Sequence, residues 1–359
     1  MTSRERFLAL VNGEEVDRLP VEIHFVDAAV AKYFADHYNM TVDEFFDYLE
    51  NDVRYMYSMD EVGCYIQDTH LLEKSIEYGF ARKDPNHEAG YYDGFGISWD
   101  ASKTGQRPLT HGYDWDVLEN FQMPDPNREG MFYDYDRHIQ AYKEKDVAFG
   151  VLQYYGPLEK LENIRGFEGT MIDFYEEPEL MEELLRKVTD YRVALAEEIC
   201  KRGVTFGHGG DDYGSQHGPM ISLSTFREFI KPCLKKIYGV YRDYGLPILH
   251  HSCGNCSAFF DDLKEVGVTL LHPIQASAMD IHQLHEDHGD TLVYYGGFDT
   301  EALERITPSE VVAMVKDTID TLSKNNRMCC AAINITAQVP FENFDAMMDA
   351  IKEYRYIHR

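Results

Sequence analysis

Short apolar runs separated by helical repeats set the rhythm of this chain. Eight runs have the length and composition of strands: Leu19 to Phe25, Val53 to Met59, Val147 to Tyr154, Val204 to Gly209, Leu246 to His250, Val268 to Ile274, Leu292 to Gly296 and Met328 to Ile335. Between several of them apolar residues recur at helical spacing. Leu184, Leu185, Val188, Tyr191, Leu195 and Ile199 mark one such face, closed by Gly203. Thr307-Pro308-Ser309-Glu310 joins an N-cap, a first-turn proline and a capping-box glutamate ahead of Val311, Val312, Val315, Ile319 and Leu322. Thr2 and Glu5 box the start of a first helix carrying Phe7, Leu8 and Leu10, and Asn12-Gly13 ends it. Phe226 to Tyr241 is helical in pattern, with Pro232 inside it predicting a kink.

Strands alternating with helices predict an α/β chain with a parallel sheet. Eight strands in succession predict closure into one (β/α)8 TIM barrel over residues 1–359, preceded by an N-terminal helical extension. An open doubly wound sheet is the alternative. The rhythm fails from Gly63 to Lys145, which is rich in Asp, Gly, Tyr and Pro and holds the run Tyr91-Tyr92-Asp93-Gly94-Phe95-Gly96 and Trp99. Residues 63–145 therefore predict an insertion between the second and third strands, folded as a small sheet over the barrel mouth.

Charge narrows the function. In 359 residues, 34 Lys and Arg face 63 Asp and Glu, a net charge of −29. Phosphate binding needs clustered basic residues, so nucleic acid and anionic membrane are excluded as partners. No run approaches the ~18 apolar residues of a membrane span, and Phe7 to Val11 is too short for the h-region of a signal peptide. Seven cysteines without framework spacing predict a reduced, cytoplasmic protein.

A parallel barrel carries its chemistry at the C-terminal ends of its strands. There the sequence places Glu22, His24 and Asp27; Gln153, Tyr154 and Tyr155; His208, Asp211, Asp212 and Tyr213; His250, His251, Cys253 and Asn255; His272 and Gln275; Tyr294, Phe298 and Asp299; and Asn334. The sharpest signal is His250-His251-Ser252-Cys253-Gly254-Asn255-Cys256. A His-x-Cys pair at a strand end suits Zn2+, although the same spacing also describes a satisfied histidine beside a buried thiol. Asp211 and Asp212 could ligate a metal, orient a histidine, act as acid and base, or cap a helix; in extended backbone at most one of them faces the barrel axis. His282, His285 and His288 read as a solvated helix face, and Cys329-Cys330 as buried thiols. Gly296-Gly297 has no nearby lysine or arginine, so a nucleotide cofactor is unsupported.

Several segments together resemble the uroporphyrinogen decarboxylase superfamily. They are Ser3-Arg4-Glu5-Arg6-Phe7 through Asp17-Arg18-Leu19-Pro20, Gly210-Asp211-Asp212-Tyr213-Gly214-Ser215-Gln216, His251-Ser252-Cys253-Gly254-Asn255, Gly296-Gly297-Phe298-Asp299 and Pro340-Phe341-Glu342-Asn343. The resemblance implies a (β/α)8 barrel and one of two chemistries: porphyrinogen decarboxylation, or zinc-dependent methyl transfer involving a corrinoid on a partner protein. Where the decarboxylases place an arginine-rich motif for an octacarboxylate, this chain reads Val21-Glu22-Ile23-His24-Phe25-Val26-Asp27. Like charges would repel that substrate, so the resemblance implies the methyltransferase branch, whose donors include aryl methyl ethers.

On that branch His251 and Cys253 are the implied zinc ligands, and a corrinoid (cobalamin) protein is the implied partner. Asp211, Asp212 and His24 are the catalytic candidates; Glu22, Tyr154, Tyr155, Tyr213, Gln275, Phe298 and Asp299 are the substrate-binding ones. Aromatic walls and surrounding acids predict an uncharged or weakly charged aryl methyl ether as donor. One position departs: the branch has a further cysteine where counting back from Pro340 finds Ile333. Cys330 falls on the opposite strand face, and Cys329 about 13 Å lower at about 3.3 Å per residue. A bulge, Asp212, His24 or Glu22 would have to supply the third ligand, or zinc is absent. A decarboxylase of the uroporphyrinogen type and a non-catalytic ligand-binding protein are the rival expectations.

Overall fold

The computed structural model describes residues 1–102, 108–109, 112–289, 292–324 and 327–356. Each expected apolar run overlaps a strand: β1 (Val21–Phe25), β2 (Val53–Tyr57), β3 (Ala148–Leu152), β4 (Gly207–Gly210), β5 (Ile248–His251), β6 (Leu270–Ile274), β7 (Val293–Gly296) and β8 (Met328–Ile335). Six of them form a parallel half-barrel sheet in the order β1-β8-β7-β6-β5-β4, and β2 pairs with β3 in parallel. From β4 to β8, and for β2 with β3, sequence neighbours are thus spatial neighbours, as strand–helix–strand crossovers favour. Among the described residues no helix is long and apolar enough to cross a membrane.

Period-two alternation explains how these strands combine stability with chemistry. Phe206, Leu249, Leu270, Val293 and Cys329 belong to one buried inner cluster, together with Phe7, Leu10 and Val16 of the N-terminal segment. Two residues further along, the same strand faces carry His208, His251, His272, Tyr295 and Ala331. The lower half of the sheet is therefore apolar and plugged by the first helix, Ser3–Asn12, whose Phe7 ring lies 5.3 Å from that of Phe206. The upper half carries three histidines among its buried side chains. Beneath the plug, Asp52 is fully buried and takes Arg6 at 2.6 Å, Arg18 at 2.7 Å and the Val21 N–H at 2.8 Å, so the N-terminal segment is tied to β1 and β2 by charge as well as by packing.

The segment expected to kink at Pro232 solves its problem differently. A π-turn at Phe226–Ile230 leads into the helix Lys231–Asp243, which places Pro232 in a first turn where its missing N–H has no partner to lose. That helix lies close on β4 because Gly207 and Gly209 have no side chains: a Cβ at either would sit 2.3 Å from Tyr241 or Tyr238. Within 63–145, Arg82–Lys83, Gly90–Tyr92 and Ser98–Asp100 form a small antiparallel sheet. Its Trp99 is buried against Tyr155, ring centroids 5.2 Å apart, at the end of β3.

Candidate functional site

After β5 the chain turns at Gly254, where φ is 70° and a Cβ would sit 2.4 Å from the Gly214 carbonyl oxygen. The turn is clamped from both sides. The Cys253 N–H donates to Asp212 Oδ1 at 2.7 Å, the Gly254 N–H to Gln275 Oε1 at 2.8 Å and the Asn255 N–H to the Ser215 carbonyl at 2.8 Å. This brings three potential ligand atoms together. Cys253 Sγ lies 3.4 Å from His251 Nε2, which lies 3.7 Å from Asp212 Oδ1, and all three are within 4.8 Å of one another.

Their chemistry suits a zinc ion, and the 3.4 and 3.7 Å separations lie close to those that one would set. Bonds of about 2.0–2.3 Å arranged tetrahedrally put neighbouring donors roughly 3.3–3.6 Å apart, and one sulfur, one imidazole nitrogen and one carboxylate oxygen form a borderline-soft set. Burial holds His251 below its ordinary value, in the neutral form that ligates. Burial, then Asp212 and Glu159, push the Cys253 thiol well above its ordinary value, so a thiolate here calls for a compensating cation.

The remaining candidates fall into distinct places. Asp211, adjacent to Asp212, turns the other way: its carboxylate accepts the Leu158 and Glu159 N–H groups at 2.9 and 2.7 Å and the Tyr213 hydroxyl at 2.9 Å, capping the helix Pro157–Arg165. Tyr213 is fully buried beside His250, Phe226 and Phe259, behind the sheet and away from both cavities described next. His250 likewise points outward and meets the Tyr238 hydroxyl at 2.6 Å. Cys329 lies low, its thiol 3.6 Å from the Pro20 carbonyl, and Cys330 packs in the outer core.

Two cavities meet at the triad. One of about 720 Å³ is lined by Glu22, His24, Tyr154, Tyr155, Asp212 and His251; the other, of about 470 Å³, by Gln275, Gly297, Phe298, Asp299 and Ile333. Val26, Cys253 and Asn334 line both. The position where the resemblance places a cysteine is thus at the site, and a bulge is present: β8 advances from Ala332 to Ile335 while β1 advances from Ile23 to Phe25, with Asn334 at φ 59°. Ile333 nevertheless offers no ligand atom.

Two residues given no role in the sequence reading stand beside the triad. His272 Nδ1 is 2.8 Å from His251 Nδ1, both rings buried. Its signal was the Leu270–His272 alternation that copies Leu249–His251 on the neighbouring strand. Glu159 lines the larger cavity, and burial, then Asp212 and Asp211, push its carboxyl well above the ordinary range. In sequence it is an ordinary first-turn acid of a helix. Outside the site, His282 pairs with exposed Asp317 at 3.2 Å, and among the described residues Asp212, His251 and Cys253 are the one cluster spaced to hold a metal.

Residues 95–354 match the profile of the family described as uroporphyrinogen decarboxylase (URO-D). A uroporphyrinogen decarboxylase of Christiangramia forsetii is 26% identical over 173 residues, 48% of this chain and 48% of that protein, so the match spans about half the length of this curated relative. A solved methyltransferase structure from Methanosarcina mazei matches over 99% of both chains with a TM-score of 0.64 at 19% identity, a likeness of fold.

Proposed function

This chain belongs to the uroporphyrinogen decarboxylase family, and from that premise we propose that it is a zinc-dependent methyltransferase, moving a methyl group from an aryl methyl ether to the Co(I) of a corrinoid protein. The observation that carries the reading is the Asp212–His251–Cys253 triad at the junction of two cavities. A methyl donor and a methyl acceptor must both reach one centre, and each cavity gives one of them access. Zinc held there would supply Lewis acidity to a poor leaving group.

The chain's own residues do the rest. Tyr154, its ring centroid 5.0 Å from that of His251 and edge-on to it, walls the larger cavity next to the triad, and Tyr155 extends the wall. A flat aromatic donor is accommodated there: about 720 Å³ lies within the range of small-molecule sites. Asp212 holds the Cys253 amide and offers its carboxylate to the metal, while His272 fixes the ring of His251. The fold belongs to the same reading. We take the two sheets as one closed (β/α)8 barrel, supported by the Asp52 N–H to Val21 carbonyl bond of 2.7 Å and by the Thr205 to Phe149 and Gly210 to Gln153 bonds, both 2.8 Å. Residues 63–145 are then an insertion at its mouth.

The family's name favours decarboxylation as a second reading. Against it, among the described residues only two arginines line the larger cavity, Arg54 and Arg137, and Arg54 is committed to the Asn51 carbonyl at 2.7 Å and to Asp47 at 3.2 Å. Eight carboxylates would find no matching cluster. The deciding assay incubates the zinc-loaded protein with cob(I)alamin, or a corrinoid protein, and methoxylated aromatics, methanol and methylamines. Methylcobalt formation led by an aryl ether is the expected result. Coproporphyrinogen formed from uroporphyrinogen at a useful rate, or no methylation with any donor, would remove the proposal.

A further inference from the structure

Glu22 lies on the inner face of β1, is 2% exposed and lines the larger cavity. Its Oε1 is 3.5 Å from His24 Nδ1, and its Oε2 has no hydrogen-bond partner. A buried carboxylate oxygen left bare is costly, so such a group is normally met by a donor. Among the described residues no donor bonds Oε2. The Tyr55 hydroxyl donates to Tyr295 at 3.1 Å, Arg54 is held by Asn51 and Asp47, and Arg137 is exposed at the outer rim. The other acids along the cavity, Asp27, Glu159 and Asp212, add negative charge to the same space.

We propose that Glu22 is the subsite for a protonated amine on the methyl donor, which makes the substrate a methoxylated aromatic amine. This inference rests on the methyl-transfer reading above. An ammonium group supplies both what Oε2 lacks, an N–H donor, and a positive charge that neither Arg54, held by Asn51 and Asp47, nor the exposed Arg137 brings to it. His24 and Tyr55, ring centroids 6.2 Å apart, border the place it would occupy. An aromatic body between that point and the triad then lies along Tyr154 and Tyr155. The uncharged or weakly charged ether expected from sequence is thereby refined: acids that merely exclude anions become, at Glu22, a positive selection for a cation.

The test uses three ligands of one shape: 4-methoxybenzylamine, 4-methoxybenzyl alcohol and 4-methoxybenzoate. Calorimetric binding to the zinc-loaded 359-residue chain should give the amine a dissociation constant at least tenfold below the alcohol, with the benzoate weakest. In Glu22→Gln, checked for folding by circular dichroism, the amine-to-alcohol ratio should fall to within about twofold. Equal or tighter binding of the alcohol by the parent, no binding of the amine, or a ratio that survives Glu22→Gln would each overturn the subsite. The parent series decides even if the variant does not fold. The same ligands are then assayed for methyl transfer with a corrinoid protein. Selective amine binding without turnover of any ligand sinks the methyltransferase reading alone, whereas turnover without amine preference sinks the subsite alone.

Discussion

His251 and His272 meet nitrogen to nitrogen, Nδ1 to Nδ1 at 2.8 Å, on adjacent strands in register. Two imidazoles can share such a contact only if one nitrogen carries the proton and the other does not. With a metal held at Nε2, beside Cys253 and Asp212, His251 would carry its proton on Nδ1, and His272 would accept with a bare Nδ1. Burial keeps both rings neutral, which that arrangement requires. A neutral histidine thus occupies the place that a carboxylate or carbonyl usually takes behind a metal-binding imidazole.

The first prediction concerns the metal itself. Purified in zinc-replete medium, the protein should hold close to one zinc per chain. Cys253→Ala and His251→Ala should lose it on dialysis, and Asp212→Asn should retain it with about 10- to 100-fold weaker affinity. Competition with a chromogenic chelator reads all three, and Cys253→Ala binding as much zinc as the parent would place the site elsewhere.

Replacing the supporting histidine should act through its neighbour. His272→Ala should weaken zinc binding by about 10- to 100-fold while leaving the ligand set intact. His272→Asn, whose side-chain oxygen can accept from His251 Nδ1, should recover part of that loss. Equal affinities for the parent and His272→Ala would show that the contact does not orient the ligand.

Methyl-transfer kinetics should separate the wall from the metal turn. Tyr154 is half-buried beside His251, whereas Tyr155 is buried, stacked on Trp99 and held at φ 53°, so Tyr154 is the residue to truncate without unfolding the β3 end. Tyr154→Ala should raise KM for an aryl ether with a smaller change in kcat; Cys253→Ala should abolish turnover. Equal losses of kcat in both variants would contradict this division.

Stability should fall with rising pH through the acid cluster at the end of β4. Glu162, half-buried near Asp211 and Asp212, is pushed up to about 8 by burial first and by those two acids second. The folded chain therefore binds more protons than the unfolded one between the ordinary carboxylate range and about 8, and over that window each step up in pH costs stability. Urea midpoints measured from pH 5 to 9 with a chelator present, so that no cation offsets Asp212, should decline for the parent and decline less for Glu162→Gln. Parallel curves for the two proteins would exclude Glu162 as a source of the slope.

Along the chain itself, the periodicity of apolar residues was enough to locate each of the eight strands, because a strand's burial pattern is local and repeats every second residue. The same local character made His251-x-Cys253 and the N-terminal capping box legible, and confined at most one of Asp211 and Asp212 to the axis. What sequence could not decide were relations across strands. Whether Asp211 or Asp212 turned inward depended on the first turn of the helix Pro157–Arg165, whose amides claim Asp211. That choice leaves Asp212 for Cys253 and His251, contacts across about 40 residues of chain that no local spacing encodes. Tyr213 went behind the sheet for a similar reason, its hydroxyl drawn to Asp211 and its ring to an apolar slot. His272 and Glu22 have strand positions fixed by alternation, but only the register of neighbouring strands sets one imidazole against another and leaves one carboxylate oxygen bare in a cavity. Hydrophobic alternation determined which face each residue occupies; packing and register determined which other residue it meets there.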